Sequence, residues 1–155
     1  MSRQRATAAG ERRKVYRFRN STFYWCGHLQ DDFNRLLLRA MHPDRLTLGR
    51  WRCLAVLAEE RELTLGELAR QTVINKAALT HVIDQMERDL LVARRSDPLD
   101  RRVIKVKLTP TGRKLFERLL PKAQQVQQRA LRGVCEQDHL LVMTVLQKMS
   151  ANLAD

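Results

Sequence analysis

The sequence predicts a mainly helical chain with one small β-hairpin inserted late in its length. Three observations predict it. Apolar residues recur at three- and four-residue spacing over most of the chain. That period gives way to strict alternation only once, between Val92 and Leu108. Aromatic residues make up 5% of the chain and charged residues 30%, a balance that suits solvent-facing helices better than a β-sandwich. With 155 residues, 44% of them hydrophobic, the chain can form one domain with an ordinary core, or a small domain with appended helices.

Residues 1–19, MSRQRATAAGERRKVYRFR, have little apolar content and no helical stripe, and read as a basic N-terminal arm. From Asn20 the pattern changes. Cys26, Leu29, Phe33, Leu36, Leu37 and Ala40 trace one helix, which His42-Pro43 ends. Thr47 can cap a second helix with Trp51, Leu54, Leu57 and Ala58 on one face, and Thr64 a short third, LGELARQT. Asn75 can cap a fourth, with Leu79, Val82, Ile83, Met86 and Leu90 as its buried stripe.

Alternation then predicts strands over Val92–Arg95 and Ile104–Leu108, joined around SDPLDR, where Pro and Asp supply turn chemistry. Thr109 as N-cap and Pro110 at the first helical position restart a helix. Leu115, Leu119, Val126 and Ala130 stripe it, and Pro121 predicts a kink or a break just before it. Gly133 and Cys135 mark a turn. The last helix carries Leu140, Val142, Val145, Leu146, Met149 and Leu153.

A short helix, a turn, a longer amphipathic helix and a hairpin make the winged helix-turn-helix layout. Charge agrees with that order. The net charge is +12, which favours a polyanionic partner. Residues 1–19 hold seven Arg/Lys against one acid, and residues 92–122 hold ten against three; the rest of the chain is close to balanced. The second helix of such a pair lies in the major groove, and subtracting its buried stripe leaves Lys76, Ala77, Thr80, His81 and Asp84 to face DNA. The hairpin adds Arg94, Arg95, Arg101, Arg102, Lys105 and Lys107; arginines on a narrow β tip can enter a minor groove. Asp100 has no value for binding phosphate, and its expected role is to fix Arg102 by a bidentate pair.

The stretch LARQTVINKAALTHVIDQMERDLLVARRSDPLDRRVIKVKLTPTG, residues 68–112, resembles the winged-helix core of the MarR family, the multiple-antibiotic-resistance type of regulator. The match is dense at DPLDRR and VKLTPTG, and the helical order extends the resemblance to about residues 20–155. It implies a DNA-binding lobe at 46–109, held between a dimerisation helix at 20–45 and C-terminal dimerisation helices at 110–155. It also implies that helix 75–90 reads a pseudo-palindromic double-stranded operator, that Asp100 orients the wing, and that Arg101 and Arg102 meet the minor groove. One departure is Leu90, where the family commonly has Gly; a glycine there permits a left-handed helix end.

The resemblance further implies a small effector, an aromatic carboxylate or its thioester, bound beside the dimer helices. Its candidate lining is Trp25, His28, Leu29, Phe33, Arg50, Trp51, Arg52 and Leu54, and WRCL at Trp51–Leu54 looks like the branch answering to aromatic acids. The expected function is a repressor released by that ligand. Two alternatives are a non-specific architectural DNA-binding protein and a thiol-based redox sensor.

Other classes find little support. Cys26, Cys53 and Cys135 form no CxxC motif and read as reduced cytosolic thiols. His28, His42, His81 and His139 make no close ligand pair, so no metal or other cofactor is expected. There is no Gly-rich phosphate loop, nucleophile elbow or metalloprotease signature, so no enzyme is expected. The basic N-terminus lacks an apolar h-region and no apolar run approaches membrane-spanning length, so a cytoplasmic location without membrane attachment is expected.

Overall fold

In a computed structural model the described residues are 17–44, 46–97 and 100–154. Most of the N-terminal arm, and Pro98-Leu99 at the hairpin tip, lie outside them. The chain divides after Asp32 into two compact units. In the first, a 3-10 turn at Phe18–Asn20 leads into α1, Thr22–Met41, whose C-terminal half belongs to the second unit. The second continues with α2 (Leu48–Glu60), β1 (Glu62–Thr64), α3 (Leu65–Thr72), α4 (Lys76–Arg88), β2 (Val92–Ser96), β3 (Ile104–Leu108), α5 (Pro110–Ala130) and α6 (Glu136–Ala151). The architecture is mainly helical with a three-stranded antiparallel sheet, as the sequence predicts.

The four predicted N-caps all form. Thr47 accepts from the Arg50 N–H at 3.3 Å and Asn75 from the Ala78 N–H at 2.8 Å. Thr109 accepts from the Gly112 N–H at 3.0 Å, with Pro110 beginning α5. Thr64 makes a full capping box with Glu67, each side chain accepting from the other's backbone N–H. Such caps satisfy N–H groups that the helix itself cannot, and each contributes about 1 kcal/mol.

The sheet has the order β1-β3-β2. Val92 stands opposite Leu108 and Ser96 opposite Ile104, while Glu62 faces Lys107 and Thr64 faces Lys105. Strand β1 was not foreseen, because three residues are too few to show alternation. The side chains of Leu54, Leu57, Leu68, Leu79, Ile83, Met86, Val106 and Leu119 are fully buried, so α2, α3, α4, the hairpin and α5 share one core. Burying each large aliphatic side chain contributes roughly 1.5–3 kcal/mol. The buried Thr72 hydroxyl is satisfied within α3, donating to the Leu68 carbonyl at 2.6 Å.

Two helices end in a Schellman turn that uses no glycine. Leu90 is not part of the buried stripe expected of it: it lies beyond α4, 70% exposed, at φ 58°. The Leu91 N–H donates to the Met86 carbonyl at 2.8 Å and the Leu90 N–H to the Glu87 carbonyl at 3.0 Å. That is a Schellman end with leucine in the left-handed position where glycine is usual. Helix α3 ends the same way on Val73, at φ 54°, with the Ile74 N–H donating to Ala69 and the Val73 N–H to Arg70. A side chain in this conformation costs about 1–2 kcal/mol.

The end of α4 is stitched to the start of α5. The Thr109 N–H donates to the Leu91 carbonyl at 3.1 Å, and the Thr109 hydroxyl to the Leu90 carbonyl at 2.6 Å. Gly112 allows this approach, since a Cβ there would lie 2.0 Å from the Leu91 oxygen. Pro121 does not break α5, which continues to Ala130. The proline is exposed while Leu119 and Ala123 on either side of it are buried, so packing holds the helix together across the missing N–H. At the other end of α1, Asp44 accepts from Arg118 at 2.8 Å and Lys122 at 2.7 Å, both on α5. Helix α6 buries none of its residues, and Leu140, Leu141, Val142, Met143, Val145 and Leu146 are exposed.

Two substitutions should move stability in opposite directions. Leu90→Gly relieves the left-handed leucine and is expected to stabilise by about 0.5–1 kcal/mol, the strain relief less the added chain entropy. Gly112→Ala is expected to destabilise by about 2–3 kcal/mol. Denaturant midpoints at constant m-value measure both, and a less stable Leu90→Gly variant would contradict the strain assigned to that position.

Candidate nucleic-acid interface

Helix α4 buries Leu79, Ile83 and Met86 and turns the opposite side outward. Lys76, Ala77, Ala78 and His81 are exposed at its N-terminal half, and Thr80 is half-buried. The Thr80 hydroxyl donates to the Lys76 carbonyl at 2.9 Å, which leaves its oxygen free to accept. The His81 Nε2 lies 2.8 Å from the Gln85 amide nitrogen. That nitrogen can only donate, so Nε2 accepts and the Nδ1–H is left pointing elsewhere. These side chains offer donors, an acceptor and small apolar surface, the repertoire that reads base edges.

Asp84, grouped with them from the sequence, is engaged differently. Arg94 on β2 donates to Asp84 at 2.6 Å and forms a second ion pair with Glu87, while its backbone N–H donates to the other Glu87 oxygen at 3.2 Å. Arg94 is therefore a strut between α4 and the wing, with both of its terminal nitrogens already bonded. Lys105 on β3 is likewise committed, 2.7 Å from Asp97 and 3.8 Å from Glu62. The hydrogen bond to Asp97 raises its pKa, so the ammonium stays charged.

The outer cations are freer. Among the described residues, Arg95 and Arg101 are exposed and form no ion pair. Arg102 is held as the sequence predicts. Its Nε donates to one Asp100 oxygen and its Nη2 to the other, both at 3.1 Å, and its backbone N–H donates to the same carboxylate at 3.0 Å. The Arg102 side chain is still 91% exposed. One edge of its guanidinium is fixed and the rest projects, the form an arginine needs to enter a groove without losing much side-chain freedom.

The candidate effector residues are divided between the units. Trp25, His28 and Leu29 lie in the first unit and the other five in the second. Leu54 is fully buried in the core. Arg50 forms an ion pair with Asp89 at the end of α4, and Arg52 donates to the Thr72 carbonyl at 3.4 Å at the end of α3. Trp51 stacks on Phe116 with ring centroids 5.8 Å apart, and both it and Phe33 pack against the core. In the first unit a recess of about 300 Å³ is lined by Phe18, Phe23, Tyr24, Gly27, His28 and Asp31. Only His28 in it was singled out from the sequence.

Cys53 is buried, and desolvation pushes its thiol up to about 12, so it carries no thiolate for redox chemistry; Cys135 is exposed and Cys26 partly so. Among the described residues no group of three or more His, Cys, Asp or Glu side chains is placed to hold a metal. No helix among them is long and apolar enough to cross a membrane. The residues that sequence reasoning missed are the acids Glu62, Glu87, Asp89 and Asp97. Glu87 follows Asp84 by three positions, on the same side of a helix, and that spacing alone could have suggested a shared cation.

The Asp100 pair has a pH signature. The side-chain hydrogen bond from Arg102, then its backbone N–H, hold the Asp100 carboxyl below its ordinary value. A depressed folded-state pKa places any stabilisation by the pair above the unfolded carboxylate pKa, with loss as pH falls through the folded value. NMR titration is expected to find Asp100 ionising below a free aspartate, and Arg102→Ala, which removes the side-chain bond and keeps the backbone one, is expected to move it back towards the ordinary value. An unshifted Asp100 in the parent protein would rule out the clamp.

The sequence profile of the MarR family matches residues 46–104, which covers α2 through the start of β3. The transcriptional regulator FarR of Neisseria gonorrhoeae is 30% identical over 117 residues, 74% of this chain and 78% of FarR. The transcriptional repressor IacR of Pseudomonas putida is 26% identical over 121 residues, 78% of this chain and 72% of IacR. Among solved structures, BpsR of Bordetella bronchiseptica, described as regulated in its DNA binding by 6-hydroxynicotinic acid, superposes with a TM-score of 0.78 at 27% identity. That superposition covers 90% of this chain and 99% of BpsR. With that family match and a regulator 30% identical over 78% of its own length, the chain belongs to the MarR family.

Proposed function

We propose that this protein is a sequence-specific, homodimeric repressor that binds a pseudo-palindromic duplex operator and is released by a small aromatic or anionic ligand. The observation that carries the DNA-binding reading is the division of labour beside α4. Lys76, Ala77, Thr80 and His81 make no ion pair, with Thr80 and His81 bonded only within their own helix, and Arg95, Arg101 and Arg102 are uncommitted or pre-positioned on the wing. Arg94 fixes one to the other. The helix reads bases and the wing supplies grip and minor-groove insertion. A purely architectural binder has no use for the polar face of the helix.

Two further observations support the rest of the reading. The six exposed apolar residues of α6 need a cover, and a second copy meeting them through the segments 20–45 and 110–155 supplies it. Regulation of BpsR by 6-hydroxynicotinic acid supports an aromatic acid as the effector class. The buried Nε of Arg50 has no hydrogen-bond partner. A carboxylate reaching this guanidinium would compete with Asp89 and loosen the C-terminal end of α4, coupling ligand to DNA. Such a protein works in the cytoplasm, on DNA, with no membrane step.

Selection from a random duplex pool, followed by fluorescence anisotropy, is the primary test. Affinity should fall steeply with salt. Arg102→Ala is expected to weaken binding to all duplexes about tenfold. The Thr80→Ala/His81→Ala double variant is expected to lose sequence preference while keeping most bulk affinity. Equal binding to every duplex by the parent protein would reject the regulator in favour of the architectural alternative. For the ligand, 6-hydroxynicotinic acid and related aromatic acids should raise the melting temperature and release DNA together. Stabilisation without release would sink the induction scheme.

A further inference from the structure

Val73 is at odds with the protein's own energetics. It is 83% exposed and holds a left-handed backbone conformation at φ 54°. A β-branched side chain is poorly suited to that conformation, and at this exposure its methyl groups gain little from burial within the chain. An unexplained strained residue is a reason to look for a function outside the fold. Its location supplies one. Val73 lies two residues before the Asn75 cap, in the turn that delivers α4, and is followed by the exposed run Asn75, Lys76, Ala77 and Ala78. Leu90 is strained in the same way, but it lies at the far end of α4, about 20 Å along the helix axis.

We propose that Val73 is a specificity-determining residue that packs its isopropyl group against a thymine C5-methyl in the major groove. The assignment rests on α4 being the recognition helix. The chemistry selects the partner: valine has no donor or acceptor for phosphate or base edges, and the thymine methyl is the apolar group that B-DNA displays in that groove. The turn's hydrogen bonds, from the Val73 N–H to Arg70 and from the Ile74 N–H to Ala69, hold the residue in place. The contact therefore needs little ordering when DNA binds.

A uracil scan tests this. A duplex selected from a random pool is remade with each thymine replaced in turn by deoxyuridine, which removes only the C5-methyl. The parent protein is expected to lose about three- to fourfold in affinity at one symmetry-related pair of positions, the size of burying one methyl-sized group. Val73→Gly and Val73→Asn both tolerate the left-handed turn. They are expected to melt at or above the parent temperature and to show no loss at that pair. Leu90→Gly is expected to keep the parent's response. A scan with no sensitive position, or one identical between the parent and Val73→Gly, overturns the assignment to Val73 and leaves the regulator standing. A parent protein that prefers no duplex overturns the regulator and this contact with it.

Discussion

The carbonyl of Leu91 occupies the space that any side chain at residue 112 would need. Three elements are organised around this approach. Helix α4 ends there, the first strand of the hairpin leaves from there, and α5 begins against it. The Thr109 N–H and hydroxyl bond to Leu91 and Leu90 while the same hydroxyl caps the helix that follows. One threonine thus serves three backbone groups, and the adjacent glycine lets the two chain segments touch. Movement of α5 would be felt directly at the end of α4. The stitch is thus a mechanical link between α5 and the end of α4.

Charge is divided between struts and grips. Arg94, Lys105 and Arg50 each meet an acid from another element, and together they brace α4 against the wing and α2 and tie the wing to β1. Partly exposed pairs of this kind contribute modestly to stability. Their greater effect is on geometry, because they set how far α4 stands from the outer arginines of the hairpin. Arg95, Arg101 and Arg102 project from the far end of the same hairpin. A high net charge alone does not distinguish these two groups; the positions of the carboxylates do.

The local devices of the fold were legible wherever a residue type has one strong use. Thr47, Thr64, Asn75 and Thr109 all cap helices because a short side-chain oxygen before an apolar periodic run has few better partners. The Asp100–Arg102 clamp was legible for a similar reason, since a carboxylate among arginines needs a purpose other than phosphate. The stops of α3 and α4 were less legible because neither uses glycine. Val73 and Leu90 adopt left-handed conformations that their side chains disfavour, imposed by the packing of the segments on either side. Of the two outcomes expected at Pro121, the break does not occur, since buried neighbours carry α5 across a residue that would end an isolated helix.

The sequence by itself determined the order of the six helices, the single hairpin, the family, and the concentration of positive charge in the wing. All of these follow from periodicity and residue type along the chain. Only the tertiary structure decided which cations are tied to another element and which project into solvent. It alone paired Arg94 with Asp84 and Glu87, Lys105 with Asp97, and Arg50 with Asp89. Ion pairs between separate elements leave no periodic trace, because their partners are brought together by packing of the apolar core and not by spacing along the chain.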